Sequence, residues 1–247
     1  MKLLAFDTST DVMSIALTDG ARVWQHTGPG GAKASTTLIP AIMALLVDAD
    51  LRLHDLQAIA FGRGPGSFTG LRTACAVAQG LAFGARQGAG IPVLPVDTLM
   101  ALAEEARFAQ GDGAADLTIT ALLDARMDEI YVQTFECGAT ACKPMAACSM
   151  VRPENLAPEA GTALLAGNVF AEYADRLPAG LAAFRTLQVL PTATAILRLA
   201  PALVAAGQLV DAALALPLYV RDKVALTTDE RAVVRQQKEL AALAAVP

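Results

Sequence analysis

The sequence predicts an α/β fold of two lobes built alike, and three observations predict it. Between Leu56 and Gly84 a short apolar run, Ile59-Ala60-Phe61, meets a glycine-dense turn and then a proline-free, alanine-rich segment. That segment is long enough for about four helical turns, and Ser67 and Thr69 are suitable caps for it. An apolar strand closing on Asp7, three residues, Asp11 and a second strand recur later as a strand closing on Asp124, three residues, Asp128 and a strand. A further strand, Ala163 to Ala166, runs into Gly167-Asn168 as the earlier one runs from Phe61 into Gly62. The same order of hairpin and glycine turn in both halves is the mark of a two-lobed, duplicated fold.

Taken in order, residues 2–7 read as a strand, Thr8-Ser9-Thr10-Asp11 as a tight turn, and Met13–Leu17 and Val23–Thr27 as further strands. After the loop Gly28-Pro29-Gly30-Gly31, Ser35 is expected to cap a helix reaching about Val47. Leu38, Ile42, Leu45 and Leu46 share one face of it, and Pro40 lies near its start, where proline is tolerated. The helix after the glycine turn places Leu71, Ala74, Cys75, Ala78 and Ala82 at helical spacing, while Ala76, Gly80 and Gly84 keep it thin. A thin helix suits close packing against this chain's own sheet or against a helix of another chain, and the spacing does not choose between them. Pro92–Val96 reads as a strand entering a helix from Thr98 to Phe108. The glycine-rich loop Gln110–Ala115 separates an N-terminal lobe, 1–110, from a C-terminal lobe, 111–247. In the second lobe Thr118–Asp124 and Ile130–Phe135 are strands, Leu187–Gly207 a helix and Pro217–Arg221 an extended piece. Asp229–Ala245 reads as a last helix, free to pack back on the first lobe.

Composition narrows the functional classes. Hydrophobic residues make up 54% and charged residues 17% of the 247, which implies a large core or an apolar surface used for association. A net charge of −5 disfavours direct gripping of nucleic acid. Cys75, Cys137, Cys142 and Cys148 include no CxxC pair, so neither a disulfide framework nor a metal site is expected. The opening apolar run is too short for a signal peptide, and Arg198, Pro201, Asp211 and Pro217 interrupt the apolar stretch 192–220. The expectation is a soluble, reduced, cytoplasmic protein without a membrane segment.

The glycine turn admits two readings. Strand, glycine loop and helix N-terminus can gather backbone N–H groups around an anion. On that reading Gly64, Gly66, Ser67 and Thr69, with Asp7, Thr8 and Ser9 and with Asp124 and Arg126 of the second hairpin, would face a nucleotide's phosphates. The other reading is a turn that lets strand and helix approach closely, with Asp7 and Asp124 as hairpin residues bonded to local backbone. The loop lacks the Gly-Lys-Ser/Thr ending of a Walker loop, the third glycine of a dinucleotide loop and a Gly-x-Ser-x-Gly elbow.

Duplicated lobes that each open on an aspartate-bearing hairpin resemble the actin/heat-shock 70/sugar-kinase-like (ASKHA) superfamily. Within it, FDTST at 6–10, GRGPGSFTGLR at 62–72, AQGLA at 78–82, DTLMALA at 97–103, DARMDEIY at 124–131 and PLYVRDKVA at 217–225 resemble the bacterial TsaB (YeaZ) family, glycoprotease-like paralogues of TsaD. The resemblance implies a part in making threonylcarbamoyladenosine at position 37 of tRNA. TsaD would carry the metal and the transfer chemistry, a TsaE-like ATPase would join them, and tRNA would be reached through the complex. The chain itself would be no enzyme and hold no cofactor, any ATP belonging to the assembly. Alone it would form a homodimer through the face used for TsaD, a face the resemblance assigns to the helices at 35–47 and 70–84. The residues expected there are Leu38, Ile42, Leu45, Leu71, Cys75 and Ala78, with a bulky charge at Ala78 expected to break association without unfolding the chain.

The residues agree with a non-catalytic partner. A glycoprotease-like metal site needs two histidines four apart on one helix, and this chain has only His26 and His54. No Ser/His/Asp or Cys/His set can be assembled for a peptidase. The competing enzyme reading is an ATP-dependent phosphotransferase of the same fold, for which Asp7 is the sole candidate base.

Overall fold

In a computed structural model, which describes residues 1–88, 90–111, 116–139 and 141–221, the chain forms two sheets with helices between and outside them. The first half supplies β1 (Leu3–Asp7), β2 (Val12–Thr18), β3 (Val23–Pro29), α1 (Ala34–Asp48), β4 (Ala58–Gly64), α2 (Phe68–Gly84), β5 (Val93–Asp97) and α3 (Thr98–Ala109). The second supplies β6 (Leu117–Arg126), β7 (Glu129–Cys137), β8 (Cys142–Pro144), β9 (Ser149–Val151), β10 (Leu164–Gly167), α4 (Val169–Glu172), β11 (Arg185–Gln188) and α5 (Ala193–Ala205). The helix expected over Asp229–Ala245 and most of the 110–115 loop lie outside the described residues.

The sheets run β3-β2-β1-β4-β5 and β8-β7-β6-β10-β11. Each is thus a third-second-first-fourth-fifth order of its own strands, with the first three antiparallel and the last two joined in parallel. The two-lobed duplicated α/β architecture is present in both halves. β9 pairs with β7 beside this path.

Strand alternation sends the two faces of the first sheet into different cores. Leu4, Phe6, Ile59 and Phe61 point to the side covered by α1 and α2, and each is fully buried. Burying a side chain of this size contributes about 1.5–3 kcal/mol. Ala5, Ala16, Ala58 and Ala60 point the other way, and their small side chains let α5 lie close on β1, β2 and β4. α3 packs beside α5 and lies on β6 and β7 of the second sheet, against Ile119, Ala121, Tyr131 and Phe135. The two inner helices therefore join the lobes through one continuous core. Outside the second sheet, Leu122, Ile130 and Leu165 pack under Val169 and Tyr173. No helix among the described residues is long and apolar enough to cross a membrane.

Several local expectations are corrected. α1 starts at Ala34 after a 3₁₀ turn, Gly31–Lys33, so Ser35 lies inside the helix rather than at its cap. The predicted helix 187–207 begins only at Ala193, because Arg185–Gln188 is a strand paired with β10. Thr192 caps it by accepting from Ala195 N, and Ser14 Oγ of the first sheet accepts from Ala193 N at 2.9 Å. The expectation of no disulfide framework meets one exception. β8 folds back on β7 so that Cys137 and Cys142 face each other with Cα atoms 4.0 Å apart, and they are disulfide-bonded.

The inner helices are also joined by charge. Glu104 on α3 is nearly fully buried and accepts from Arg107 at 2.7 and 2.9 Å and from Arg198 of α5 at 2.8 Å, while Arg198 also reaches Glu105 at 2.6 Å. Removing one member of such a buried cluster leaves its partners' charges uncompensated. Glu104→Ala is expected to cost about 3–5 kcal/mol, read as a lower urea midpoint than wild type, with Glu105→Ala costing less because that carboxylate is more exposed.

Candidate functional site

The sheets meet at a cleft whose walls are the two aspartate hairpins. Ser9, Gly66, Ser67, Thr69, Asp124 and Arg126 line one cavity of about 420 Å³ there. Six of the nine residues proposed to face a phosphate are thereby brought together. Asp7, Thr8 and Gly64 are not among them, and all three are buried.

The glycine turn sits directly on the first hairpin. A Cβ on Gly66 would lie 2.6 Å from Ser9 Cβ, and one on Gly70 would collide with the Thr8 carbonyl oxygen. Ser67 N donates to Ser9 O at 2.7 Å, Thr8 Oγ1 donates to Gly70 O at 2.7 Å, and Ser67 Oγ accepts from Gly70 N at 3.4 Å as the α2 N-cap. Two amides that a phosphate would need are therefore already committed. The turn's glycines serve close approach, the second of the two readings.

Asp7 lies beneath this contact and is fully buried. Its Oδ1 accepts from Ser9 N at 2.8 Å and Ser9 Oγ at 2.6 Å, an Asx-type turn. Oδ2 makes no hydrogen bond of accepted geometry, nor does the Thr98 hydroxyl. Burial pushes the Asp7 carboxyl up to about 6, against the Ser9 hydroxyl and N–H and the Thr98 hydroxyl, which favour the charged form. In this state Asp7 cannot reach a ligand in the cleft.

On the opposite wall Asp124 is committed as well. It accepts from Tyr173 Oη at 2.7 Å and Arg126 N at 2.8 Å, while its own N–H donates to Asn168 Oδ1 at 2.9 Å. Burial, then this bond to Asp124, raises the Tyr173 phenol well above its ordinary range. Arg126 bridges the cleft, pairing with Asp11 at 2.5 Å and Asp124 at 3.1 Å, and its guanidinium is held still more firmly charged by Asp11. Arg221 donates to the Ala125 and Arg126 carbonyls and pairs with Glu129 at 2.7 Å. Asp11, Asn168, Tyr173 and Arg221 are the residues sequence reasoning did not assign here. Asp11 carried a signal as part of the hairpin repeat, Asn168 by following the second glycine turn and Arg221 by its place within PLYVRDKVA, whereas Tyr173 carried none.

The proposed partner-face residues are placed differently. Leu38, Ile42, Leu45, Cys75 and Ala78 are buried in the core between the helices and the first sheet, and Leu71 is buried beside the cleft, which it helps to line. They face inward, because the apolar periodicity of both helices marks the side that packs on the sheet, β2 and β3 for α1 and β4 for α2. The outer surface of α1 presents Ile39, Met43 and Val47 instead, and that of α2 presents Ala76, Gly80, Phe83 and Gly84. A large charge at Ala78 would therefore disrupt the core rather than an interface.

The raised Asp7 pKa has a stability consequence with a definite sign. The neutral carboxyl is favoured in the fold, so this contribution is fully present below pH 3.8 and is lost as pH rises through about 6. The loss is on the order of 3 kcal/mol. Asp7→Asn is expected to match wild type in urea unfolding near pH 4 and to exceed it at pH 7.5.

The family model described as TsaD, tRNA N6-adenosine threonylcarbamoyltransferase, matches residues 29–246. The tRNA threonylcarbamoyladenosine biosynthesis proteins TsaB of Haemophilus influenzae and Escherichia coli are 39% and 38% identical over 132 and 131 residues, 53% of this chain in each case. Those matches cover 52% and 53% of the relatives, so the chain spans about half the length of the curated relatives it matches. The solved structure of YeaZ from Pseudomonas aeruginosa is 36% identical, with a TM-score of 0.77, over 89% of this chain and 99% of its own. A family model matching most of the sequence and a solved relative matched almost end to end place the chain in the TsaB (YeaZ) family.

Proposed function

We propose that the chain is a non-catalytic subunit in the formation of N6-threonylcarbamoyladenosine at position 37 of tRNA, docking a TsaD-like paralogue through the outer faces of α1 and α2. The names of its curated relatives support the pathway. On this reading the paralogue holds the metal and transfers the threonylcarbamoyl group, and a TsaE-like ATPase joins the assembly and handles ATP. The net charge of −5 fits a subunit that meets tRNA through its partners. By itself the chain pairs with a second copy through the same face, and it works in the cytoplasm.

One observation carries the docking face. A Cβ added at Gly80 or Gly84 would meet no atom within 4 Å. Glycine inside a helix costs about 1 kcal/mol relative to alanine, and nothing in the packing of the described residues requires it at Gly80. A partner helix lying across α2 supplies the requirement, and exposed Ile39, Met43, Val47 and Phe83 supply the apolar surface beside it. The cleft offers the competing phosphotransferase reading less, since Asp7 is shut away and Asp124 and Arg126 are tied to each other and to Asp11.

Met43→Asp and Gly80→Arg are each expected to abolish pairing with the paralogue in light scattering while leaving the melting curve nearly unchanged, as exposed substitutions do. Ala78→Glu is expected to unfold the chain. Undiminished pairing of both exposed variants would move the docking face elsewhere, and ATP turnover by the isolated chain would favour the enzyme reading.

A further inference from the structure

The helical face of the first sheet has a third member. α1 lies over β2 and β3, and α2 over β4. Beyond them the chain after α5 returns to the β5 edge, where Val210 and Val93 exchange two backbone bonds of 2.9 Å. From there residues 211–219 run alongside α2. Asp211 Oδ1 accepts from Ala213 N, and Ala215 O accepts from Cys75 Sγ at 3.2 Å and Gln79 Nε2 at 3.0 Å. Leu218 N donates to Arg63 O at 2.7 Å, and Tyr219 Oη accepts from Arg72 Nε at 3.0 Å. Across the sheet the order is thus α1, α2, strap.

The strap alternates. Ala212 and Ala215 are buried in the core under α2, whereas Leu214 and Leu216 are each 68% exposed. Two exposed leucines on a segment tied down at four residues, Val210, Ala215, Leu218 and Tyr219, gain nothing for the core that the described residues form. Charge is nearly absent around them: Asp48, Arg72 and Asp211 are the only charged residues in 34–48, 68–84 and 209–218. Depletion of charge around large apolar side chains marks the centre of a protein interface rather than ordinary surface.

Resting on the docking face proposed above, we infer that the strap is its third element, with Leu214 and Leu216 forming the wall on one side of thin α2 and Ile39, Met43 and Val47 the wall on the other. The occupant is the apolar helical face of the paralogue, seated over Ala76 and Gly80 between those walls. Partner contact then reaches a segment whose far end, Tyr219 and Arg221, lines the cleft.

The test is titration of the full-length chain with the paralogue, using a Leu214→Asp, Leu216→Asp double variant, a Leu214→Ala, Leu216→Ala double variant and Met43→Asp. Loss of two central leucines is expected to weaken Kd about tenfold for the alanine pair and about a hundredfold or more for the aspartate pair, with unchanged melting temperature. If the leucine variants bind as wild type while Met43→Asp does not, the strap is outside the interface and the inference fails alone. If all three bind as wild type, the docking face itself is wrong. Loss of self-pairing with undiminished paralogue binding would assign the leucines to a second copy and overturn the stated occupant. A marked fall in melting temperature for the alanine pair, with Kd unchanged, would show the leucines covered by the chain itself.

Discussion

The contact between the glycine turn and the first hairpin constrains most of the first lobe. Gly66 against Ser9 and Gly70 against the Thr8 carbonyl leave no room for a side chain at either position. That approach seats the N-terminus of α2 on the end of β1 and β2, closes the hairpin over Asp7 and fixes which side of α2 faces out. Space that a phosphate-binding turn would leave for its ligand is here filled by the chain's own backbone.

The lobes are bound by the two helices between the sheets more than by the cleft residues. Small alanines on β1, β2 and β4 admit α5, and α3 fills the space between α5 and the second sheet. The Glu104, Arg107 and Arg198 cluster fixes how the two helices sit, because a buried carboxylate is tolerable only with both cations in place. Arg126 and Arg221 add ties across the cleft, each to groups already paired. Binding chemistry in the cleft would have to break those pairs, whereas the outer face of α1, α2 and the strap presents apolar groups with no competing partner among the described residues. The proposed function accordingly lies on the outside of the first lobe rather than in the cleft.

Much of this was legible in the residues, with misplacements that have physical causes. The hairpin-and-glycine repeat correctly announced two like sheets. The expected partner residues were drawn from the inner faces, because hydrophobic periodicity finds whatever side of a helix is buried in its own fold. Ile39, Met43 and Val47 repeat at helical spacing too, so α1 is apolar on both sides and periodicity alone cannot say which side waits for a partner. Leu214 and Leu216 gave less warning still, sitting in an alanine- and leucine-rich run that reads as more core.

Local sequence was sufficient for the first-lobe strands, the helix start at Ser67, the glycine turn and the absence of a histidine pair, since each rests on neighbouring residues and their backbone preferences. Contacts between distant segments settled the rest. The use of the turn's amides, the burial and raised pKa of Asp7, the capture of Arg126 by Asp11 and the exposure of Leu214 and Leu216 depend on groups 58 to 140 residues apart. No periodicity or spacing encodes such distances, and they become physical only when the two sheets close on the helices between them.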